Sequence, residues 1–325
     1  MEIIRDSIFH CSGQESILEE RDWDIKAKLG GSLGMRGESR SSFTFGGFLE
    51  LQFHHHHLHH HHHQWKRYGV TNFHSMANYP CLDDWKRHGI MPDDSRNHLT
   101  VDHPSHGDYN KSIKHYEKEA LIIQTQEYYE TKKRMEDEDP SLPKIKIADL
   151  KYDTDPPNRR TPSCTLLDWA LIEVERERFS DNEIPRLEDL PRSCRQRYHP
   201  ADNTVLQGTT YLNTGMPLCK IGSRTGFTEG RLGALHLTDL QSWSKNQDGS
   251  WNKVRGSPHE VFPIAPRETF GDPGDSGAII MDRNGSFVGL YVGECIETGT
   301  SYFMEASDLF HDIKTITGAT SVRVS

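Results

Sequence analysis

The chain has 325 residues, with 38 Lys and Arg against 48 Asp and Glu, so its formal charge is −10 with histidine neutral. This acidity argues against binding to nucleic acid or to an anionic membrane, because both are recognised through clustered Lys and Arg. No run of about 18 apolar residues occurs, so no membrane-spanning segment is expected. The N-terminus lacks the apolar core of a signal peptide, which predicts an intracellular protein.

The six cysteines lie at least 25 residues apart, so they form none of the CxxC pairs typical of zinc or redox sites. Their even number is compatible with three disulfides in a secreted protein or with free buried thiols. The absence of a signal peptide favours free thiols. No metal site and no cofactor are predicted from them.

The first 100 residues begin with a charged, irregular segment, 1–27, which is predicted to be a tail. From residue 28 the composition becomes typical of β-strands, with strands expected over 42–51 and 68–73. Between these strands lies a histidine-rich tract, 54–63, which holds nine of the twenty histidines. The two strands joined through this tract should form a hairpin, and the tract is either a loop expansion or a chelator of transition-metal ions.

Residues 101–160 form a charged insertion in which 24 of 60 residues are Asp, Glu, Lys or Arg. The spacing of Ile113, Tyr116, Ala120 and Ile123 and the absence of Pro and Gly predict one amphipathic helix from Lys111 to about residue 138. The helix either packs on the domain surface or serves as a binding arm for a protein partner.

From residue 165 onwards the chain is predicted to fold into short strands bounded by Gly, Pro, Asn or Asp, which favours an all-β barrel or sandwich. The strands are expected at 165–174, 211–212, 217–221, 230–237, 261–264, 278–281, 287–292 and 301–304. A C-terminal helix should follow, capped by Ser307 or Asp308 and ended by Gly318. Residues 319–325 are predicted to be a tail.

The segment Gly274-Asp275-Ser276-Gly277 carries the strongest chemical signal, since it places a serine in a tight turn directly before an apolar strand. Such a turn can direct successive backbone N–H groups at one point, as an oxyanion hole requires. A serine nucleophile also needs a base and a carboxylate that orients the base. His74, at the end of a strand, and Asp168, in an apolar segment, are the candidates; alternatively, each is an ordinary half-buried polar residue.

These motifs resemble those of the trypsin/chymotrypsin-like serine proteases. Gly274 to Gly277 resembles their nucleophile turn, Thr71-Asn72-Phe73-His74 their histidine motif, and Asp168-Trp169-Ala170-Leu171 their Asp-x-Ala-Leu element. The order His, Asp, Ser is also that family's order. The resemblance covers roughly residues 28–100 and 161–318, within one predicted protease domain spanning 28–318.

The resemblance implies a fold of two six-stranded antiparallel barrels with the site in the cleft between them. Ser276 would attack a peptide carbonyl, His74 would transfer the proton, and Asp168 would orient the imidazole. The backbone N–H groups of Gly274 and Ser276 would form the oxyanion hole, and Asp275 would pair with a group behind the turn. The implied function is a cofactor-independent serine endopeptidase with a polypeptide substrate; the alternative is a catalytically silent binding module of the same fold.

The resemblance also implies a substrate-binding surface. Tyr291, Val292 and Gly293 correspond to the strand that pairs with an extended substrate, and Phe270 corresponds to the base of the specificity pocket. An aromatic residue there argues against selection of Lys or Arg and suggests an apolar or small preference.

The chain departs from the secreted members of that family at two cysteine positions, which are occupied by Ser75 and Asp272. The missing disulfide framework again favours an intracellular protein. His74 and Asp168 lie 94 residues apart, further than is usual in the family, because the charged insertion falls between them.

Overall fold

The computed structural model describes residues 17–18, 20–39, 42–53, 64–76, 100–123, 145–147, 167–186, 205–234, 240–245, 251–256, 258–264, 269–295 and 298–325. The α-helices in these ranges are α1 (His106–Ile123) and α2 (Ala306–Thr317). Neither is sufficiently long and apolar to cross a membrane. The histidine tract, residues 77–99 and the predicted helical residues beyond Ile123 lie outside the described residues.

The strands of the described ranges are numbered in chain order. They are β1 (Ser32–Met35), β2 (Phe43–Thr44), β3 (Gly47–Phe53), β4 (Gln64–Thr71), β5 (Thr100–Asp102), β6 (Ile145–Ile147), β7 (Ala170–Glu173), β8 (Gln207–Thr209), β9 (Pro217–Gly222), β10 (Gly226–Leu232), β11 (Leu240–Lys245), β12 (Trp251–Gly256), β13 (His259–Pro263), β14 (Ile279–Asp282), β15 (Ser286–Cys295), β16 (Thr300–Glu305) and β17 (Ser321–Val324).

The first sheet is antiparallel and has eight strands in the order β17-β3-β4-β7-β6-β5-β1-β2. Strands β3 and β4 pair from Gly47 with Val70 to Phe53 with Gln64, which confirms the predicted hairpin around the histidine tract. No pairing among the described residues joins the outer strands β17 and β2. The second closed barrel of the sequence prediction is therefore not confirmed.

The sequence predicts a tail for residues 319–325. The structure shows instead that Ser321–Val324 forms β17, which pairs with β3. Val322 and Val324 pack against the hydrophobic core. Their alternation with Ser321 and Arg323 is the period-two pattern of a strand with one buried face. Four residues are too short a run for this pattern to be distinctive in sequence.

The second sheet closes into a six-stranded antiparallel barrel, β14-β9-β10-β13-β16-β15, through the pairing of β15 with β14. This barrel confirms half of the predicted architecture. Strand β8 adds to β15 in parallel, and β11 and β12 form a separate hairpin. The strand predicted at 211–212 is wrong: the segment is irregular, and Tyr211 is 91% exposed because no neighbouring strand covers it.

The charged region 101–160 contributes strands to the first sheet as well as a helix. Strand β6 pairs with both β5 and β7, so the region is not a purely helical insertion. Helix α1 begins at His106, five residues before the predicted start, because the Ser105 hydroxyl accepts a hydrogen bond from the Asp108 N–H at 3.0 Å and caps the first turn. Binding of a protein partner to this region remains a prediction.

The predicted N-terminal tail is partly ordered. Leu18 is buried, its N–H donates to the Ser112 hydroxyl at 2.8 Å, and its carbonyl accepts from the Tyr116 hydroxyl at 3.0 Å. The segment up to Ala27 therefore packs on α1 and on the domain. The charged composition of this segment gives no sign of the packing, because the contacts are made by main-chain hydrogen bonds.

Helix α2 packs Leu309 and Ile313 into the main core and ends, as predicted, at Gly318 with a φ of 72°. It begins after Glu305, which makes no side-chain cap hydrogen bond, so neither Ser307 nor Asp308 is its cap. A second cluster fills the closed barrel. Cys219 is a free, buried thiol whose pKa is raised by burial, in agreement with the expectation of unpaired cysteines at this position.

Candidate active site

The two sheets bring the three candidate residues to one place. Strands β4 and β7 are antiparallel neighbours, with Thr71 opposite Ala170. His74 follows β4 and Asp168 precedes β7, so both lie beyond the same end of this strand pair. The sequence predicts a strand over 165–174, but Asp168 lies in an irregular segment. Ser276 comes from the turn before β14 of the other sheet.

The side chains of Asp168, His74 and Ser276 form a continuous chain of contacts. Asp168 Oδ1 accepts the His74 main-chain N–H at 2.9 Å, and its Oδ2 contacts His74 Nδ1. On the other side of the ring, His74 Nε2 lies 3.0 Å from Ser276 Oγ. All three residues are at most 8% exposed. The imidazole is thus held by its carboxylate partner, with Nε2 at the serine hydroxyl.

Asn72, the residue directly after β4, supports this arrangement. Its Nδ2 donates to the Tyr291 carbonyl at 2.9 Å and to Asp168 Oδ2 at 3.4 Å. It thus connects the carboxylate to β15 of the closed barrel. Asn72 belongs to the histidine motif, but its role is not evident from sequence because its partners are 96 and 219 residues away.

The serine lies directly after a turn of the type that exposes main-chain donors. The Asp275 N–H donates to the Asp272 carbonyl at 2.9 Å, and Pro273 and Gly274 occupy the central positions. Gly274 has a φ of 106°, and proline followed by glycine with a positive φ is the pattern of a type II turn. No described residue accepts a hydrogen bond from the N–H of Gly274 or Ser276. Both donors are therefore available to an oxyanion.

Two threonines of the first sheet, Thr44 and Thr71, hold this turn in place through hydrogen bonds. The Thr44 N–H donates to the Ser276 carbonyl at 3.0 Å, and its hydroxyl donates to the Gly274 carbonyl at 2.9 Å. The Thr71 hydroxyl donates to the Thr44 carbonyl at 2.7 Å. Gly277 has a φ of 94°, and a Cβ there would lie 2.3 Å from the Thr71 hydroxyl, so only glycine fits.

Asp275 anchors the turn from behind through an ion pair with Lys220. The two groups are 2.8 Å apart and fully buried, and Asp275 also accepts hydrogen bonds from the Thr225 hydroxyl and from the Arg224 N–H. Burial opposes ionisation of Asp275, but the Lys220 charge and these hydrogen bonds outweigh it and lower its pKa below the usual value. The resemblance implied that Asp275 pairs with an unspecified group behind the turn, and that group is Lys220.

Replacing Lys220 with Met should lower the free energy of unfolding by about 3–5 kcal/mol, because it leaves the buried Asp275 carboxylate without its cation. The loss is measured by urea unfolding at neutral pH. The matched control is Lys28→Met, since the side chain of Lys28 is 46% exposed and pairs with Asp24 at the surface. This control should change stability by at most about 1 kcal/mol. Equal effects of the two substitutions would contradict a structural role for Lys220.

The predicted substrate-binding residues fall into two groups. Phe270 and Tyr291 are fully buried in the core of the closed barrel, with ring centroids 6.3 Å apart. Both rings pack inside the barrel, and the assignment of Phe270 to the base of the specificity pocket and of Tyr291 to the substrate-pairing strand stays a prediction. The strands of the closed barrel supply the apolar side chains that surround them.

Val292 is the extra residue of a bulge in β15, and Gly293 follows it where the pairing with β16 resumes. The Val292 carbonyl accepts from the Ser276 hydroxyl at 3.1 Å, and Gly293 is partly exposed. These two residues therefore offer main-chain groups next to the serine.

Searches against known proteins identify relatives at the level of family and of fold. The profile of peptidase family S64 matches residues 24–297. A search of curated proteins found no match.

Solved structures similar to this chain include a Cellulomonas bogoriensis chymotrypsin, 15% identical with a TM-score of 0.43 over 92% of this chain and 98% of that one. Thermobifida fusca protease A is 13% identical with a TM-score of 0.44 over 92% of this chain and 100% of that one. The Rv3671c protease of M. tuberculosis, in its active form, is 14% identical with a TM-score of 0.36 over 85% and 82%. Since the S64 profile spans most of the sequence, the chain belongs to peptidase family S64.

Proposed function

We propose that this chain is a serine endopeptidase that hydrolyses peptide bonds through an acyl-enzyme. The observation that carries the proposal is the uninterrupted contact from Asp168 through His74 to Ser276, with 3.0 Å between His74 Nε2 and Ser276 Oγ. A serine hydroxyl becomes a useful nucleophile only when such a base accepts its proton. Membership of peptidase family S64 supports the same chemistry.

In the proposed reaction, Ser276 Oγ attacks the substrate carbonyl carbon while its proton passes to His74 Nε2. Asp168 stabilises the resulting imidazolium and holds its Nδ1–H, so that Nε2 faces the reaction. The carbonyl oxygen becomes an oxyanion bound by the N–H groups of Gly274 and Ser276. The C–N bond then breaks, and His74 returns the proton to the leaving amine.

A water molecule completes the cycle by attacking the ester carbonyl of the acyl-enzyme. His74 accepts the proton of this water and then returns a proton to Ser276 Oγ as the acid product leaves. The substrate main chain would extend along Val292 and Gly293, as a strand added beside β15. None of these steps requires a cofactor.

The proposal is tested with a fluorophosphonate probe, which reacts only with an activated serine. The folded protein should be labelled, and peptide mapping by mass spectrometry should place the label on Ser276. Heat-unfolded protein is the control and should remain unlabelled, because the hydroxyl then lacks its base. A folded protein that resists labelling would instead support the catalytically silent binding module.

A further inference from the structure

Glu294 lies on β15, two residues beyond Val292, whose carbonyl contacts the Ser276 hydroxyl at 3.1 Å. At about 3.3 Å per residue, this places Glu294 roughly 7 Å along the strand from the serine contact. The ladder to β16 sets it opposite Ser301. Its side chain is only partly exposed, and its Oε2 is shielded from solvent without a hydrogen-bond partner among the described residues.

The surroundings of Glu294 have an excess of negative charge. Burial and the nearby carboxylates of Asp272 and Asp275 raise the pKa of Glu294 to about 7, and Lys220 only partly offsets them. Lys220 is already paired with Asp275 at 2.8 Å and donates to Thr225. Asp272 is half-buried on the serine turn, and burial and Asp275 raise its pKa too. Within the part of the chain that the structure describes, Glu294 therefore has no cation of its own.

Two buried hydroxyl groups lie next to the same carboxylate. Tyr291 is 1% exposed and Ser301 is 0% exposed, and the Tyr291 hydroxyl lies within hydrogen-bonding reach of Ser301. The Tyr291 hydroxyl points at Gly271, where an added Cβ would lie 2.4 Å from it. Burial and the charges of Glu294 and Asp275 raise the pKa of Tyr291, which places its hydroxyl near these carboxylates. Among the described residues, Glu294 Oε2 itself has no hydrogen-bond partner and can accept a hydrogen bond.

We infer that Glu294 is a specificity-determining residue that binds the side-chain cation of a Lys or Arg residue preceding the scissile bond. An ammonium group carries three N–H donors and a guanidinium group five. Either also carries the positive charge that would neutralise the carboxylates of Glu294 and Asp272. An acidic side chain would be repelled, and an apolar one would leave Glu294 Oε2 unsatisfied. The inference rests on the proposed peptidase function and differs from the apolar or small preference that Phe270 suggested.

The preference is measured with two peptide substrates that differ only in having Lys or norleucine before the scissile bond, since norleucine is lysine without its ammonium group. The wild type should show kcat/KM for Lys at least about tenfold above that for norleucine, and Glu294→Gln should reduce this ratio to near one. The matched control Glu173→Gln, on the exposed side of β7, should keep the ratio. A ratio near one in labelled wild type, or an unchanged ratio in Glu294→Gln, overturns the inference.

Binding of benzamidine to the Ser276→Ala protein, measured by calorimetry, separates this inference from the proposed function. The affinity should fall at least about tenfold in the double variant Ser276→Ala/Glu294→Gln. It should also rise from about pH 6 to about pH 8, as Glu294 loses its proton and gains the charge that attracts the amidinium. A protein that resists fluorophosphonate but binds benzamidine through Glu294 would refute only the peptidase. An affinity independent of Glu294 would refute the cation site.

Discussion

Replacing Ser276 with Ala should lower kcat for peptide hydrolysis by about 10⁶, the scale of loss when a triad serine is removed. The reason is the geometry at His74: its Nε2 faces one hydroxyl, 3.0 Å away, and alanine offers no nucleophile in its place. The substitution should leave the fold intact. Thr44 holds the turn through the Ser276 main-chain carbonyl, which alanine retains.

The measurement is hydrolysis of a fluorogenic peptide, with the thermal unfolding midpoint as a check on folding. Ser307→Ala serves as the control, because it removes an equally small hydroxyl from an exposed position at the start of α2. This control should keep full activity. Residual hydrolysis by purified Ser276→Ala within tenfold of the wild type would show that another residue is the nucleophile.

The residues that could be predicted from sequence are those with a local signal. The serine turn is recognisable because glycine, aspartate and serine must follow one another directly for the turn to form. His74 lies just after β4 and Asp168 just before β7, each in a distinctive tetrapeptide. The closed barrel was also predictable in kind, because its strands are short, apolar and separated by turn residues.

The groups that sequence reasoning missed act across long intervals of chain. Lys220 pairs with Asp275 over 55 residues, and nothing in the sequence around a single lysine indicates full burial. Thr44 reaches the serine turn over 230 residues. Asn72 connects to Tyr291 over 219. Such pairs are set by the packing of one sheet on the other, which leaves no periodic trace in either segment.

The specificity site shows the same limit more sharply. The distance of Phe270 from the serine in sequence predicts a place at the base of the pocket, and the structure shows its ring in the barrel core. Glu294 was not considered, since it follows the serine by a whole hairpin. It approaches the serine turn only because β15 pairs with β14. The identity of one residue at the base of a pocket is therefore insufficient to predict the charge of the whole pocket.

Replacing Asp168 with Asn should lower kcat by about 10⁴, the loss that this change causes in a trypsin-like triad, while the protein remains folded. Asp168 accepts hydrogen bonds through both oxygens, from the His74 main chain and from its Nδ1. Asparagine retains one acceptor but presents an NH₂ group at the other position. That group favours the imidazole tautomer with a proton on Nε2, which cannot accept the proton of Ser276.

The prediction is checked by the rates of peptide hydrolysis and of fluorophosphonate labelling, which should fall together because both need the activated hydroxyl. Asp181→Asn is the matched control, an exposed aspartate on the segment after β7 that should leave both rates unchanged. Benzamidine binding should be the same in Asp168→Asn and the wild type, since the charge of Glu294 is retained. An Asp168→Asn protein with full activity would mean that another carboxylate orients His74.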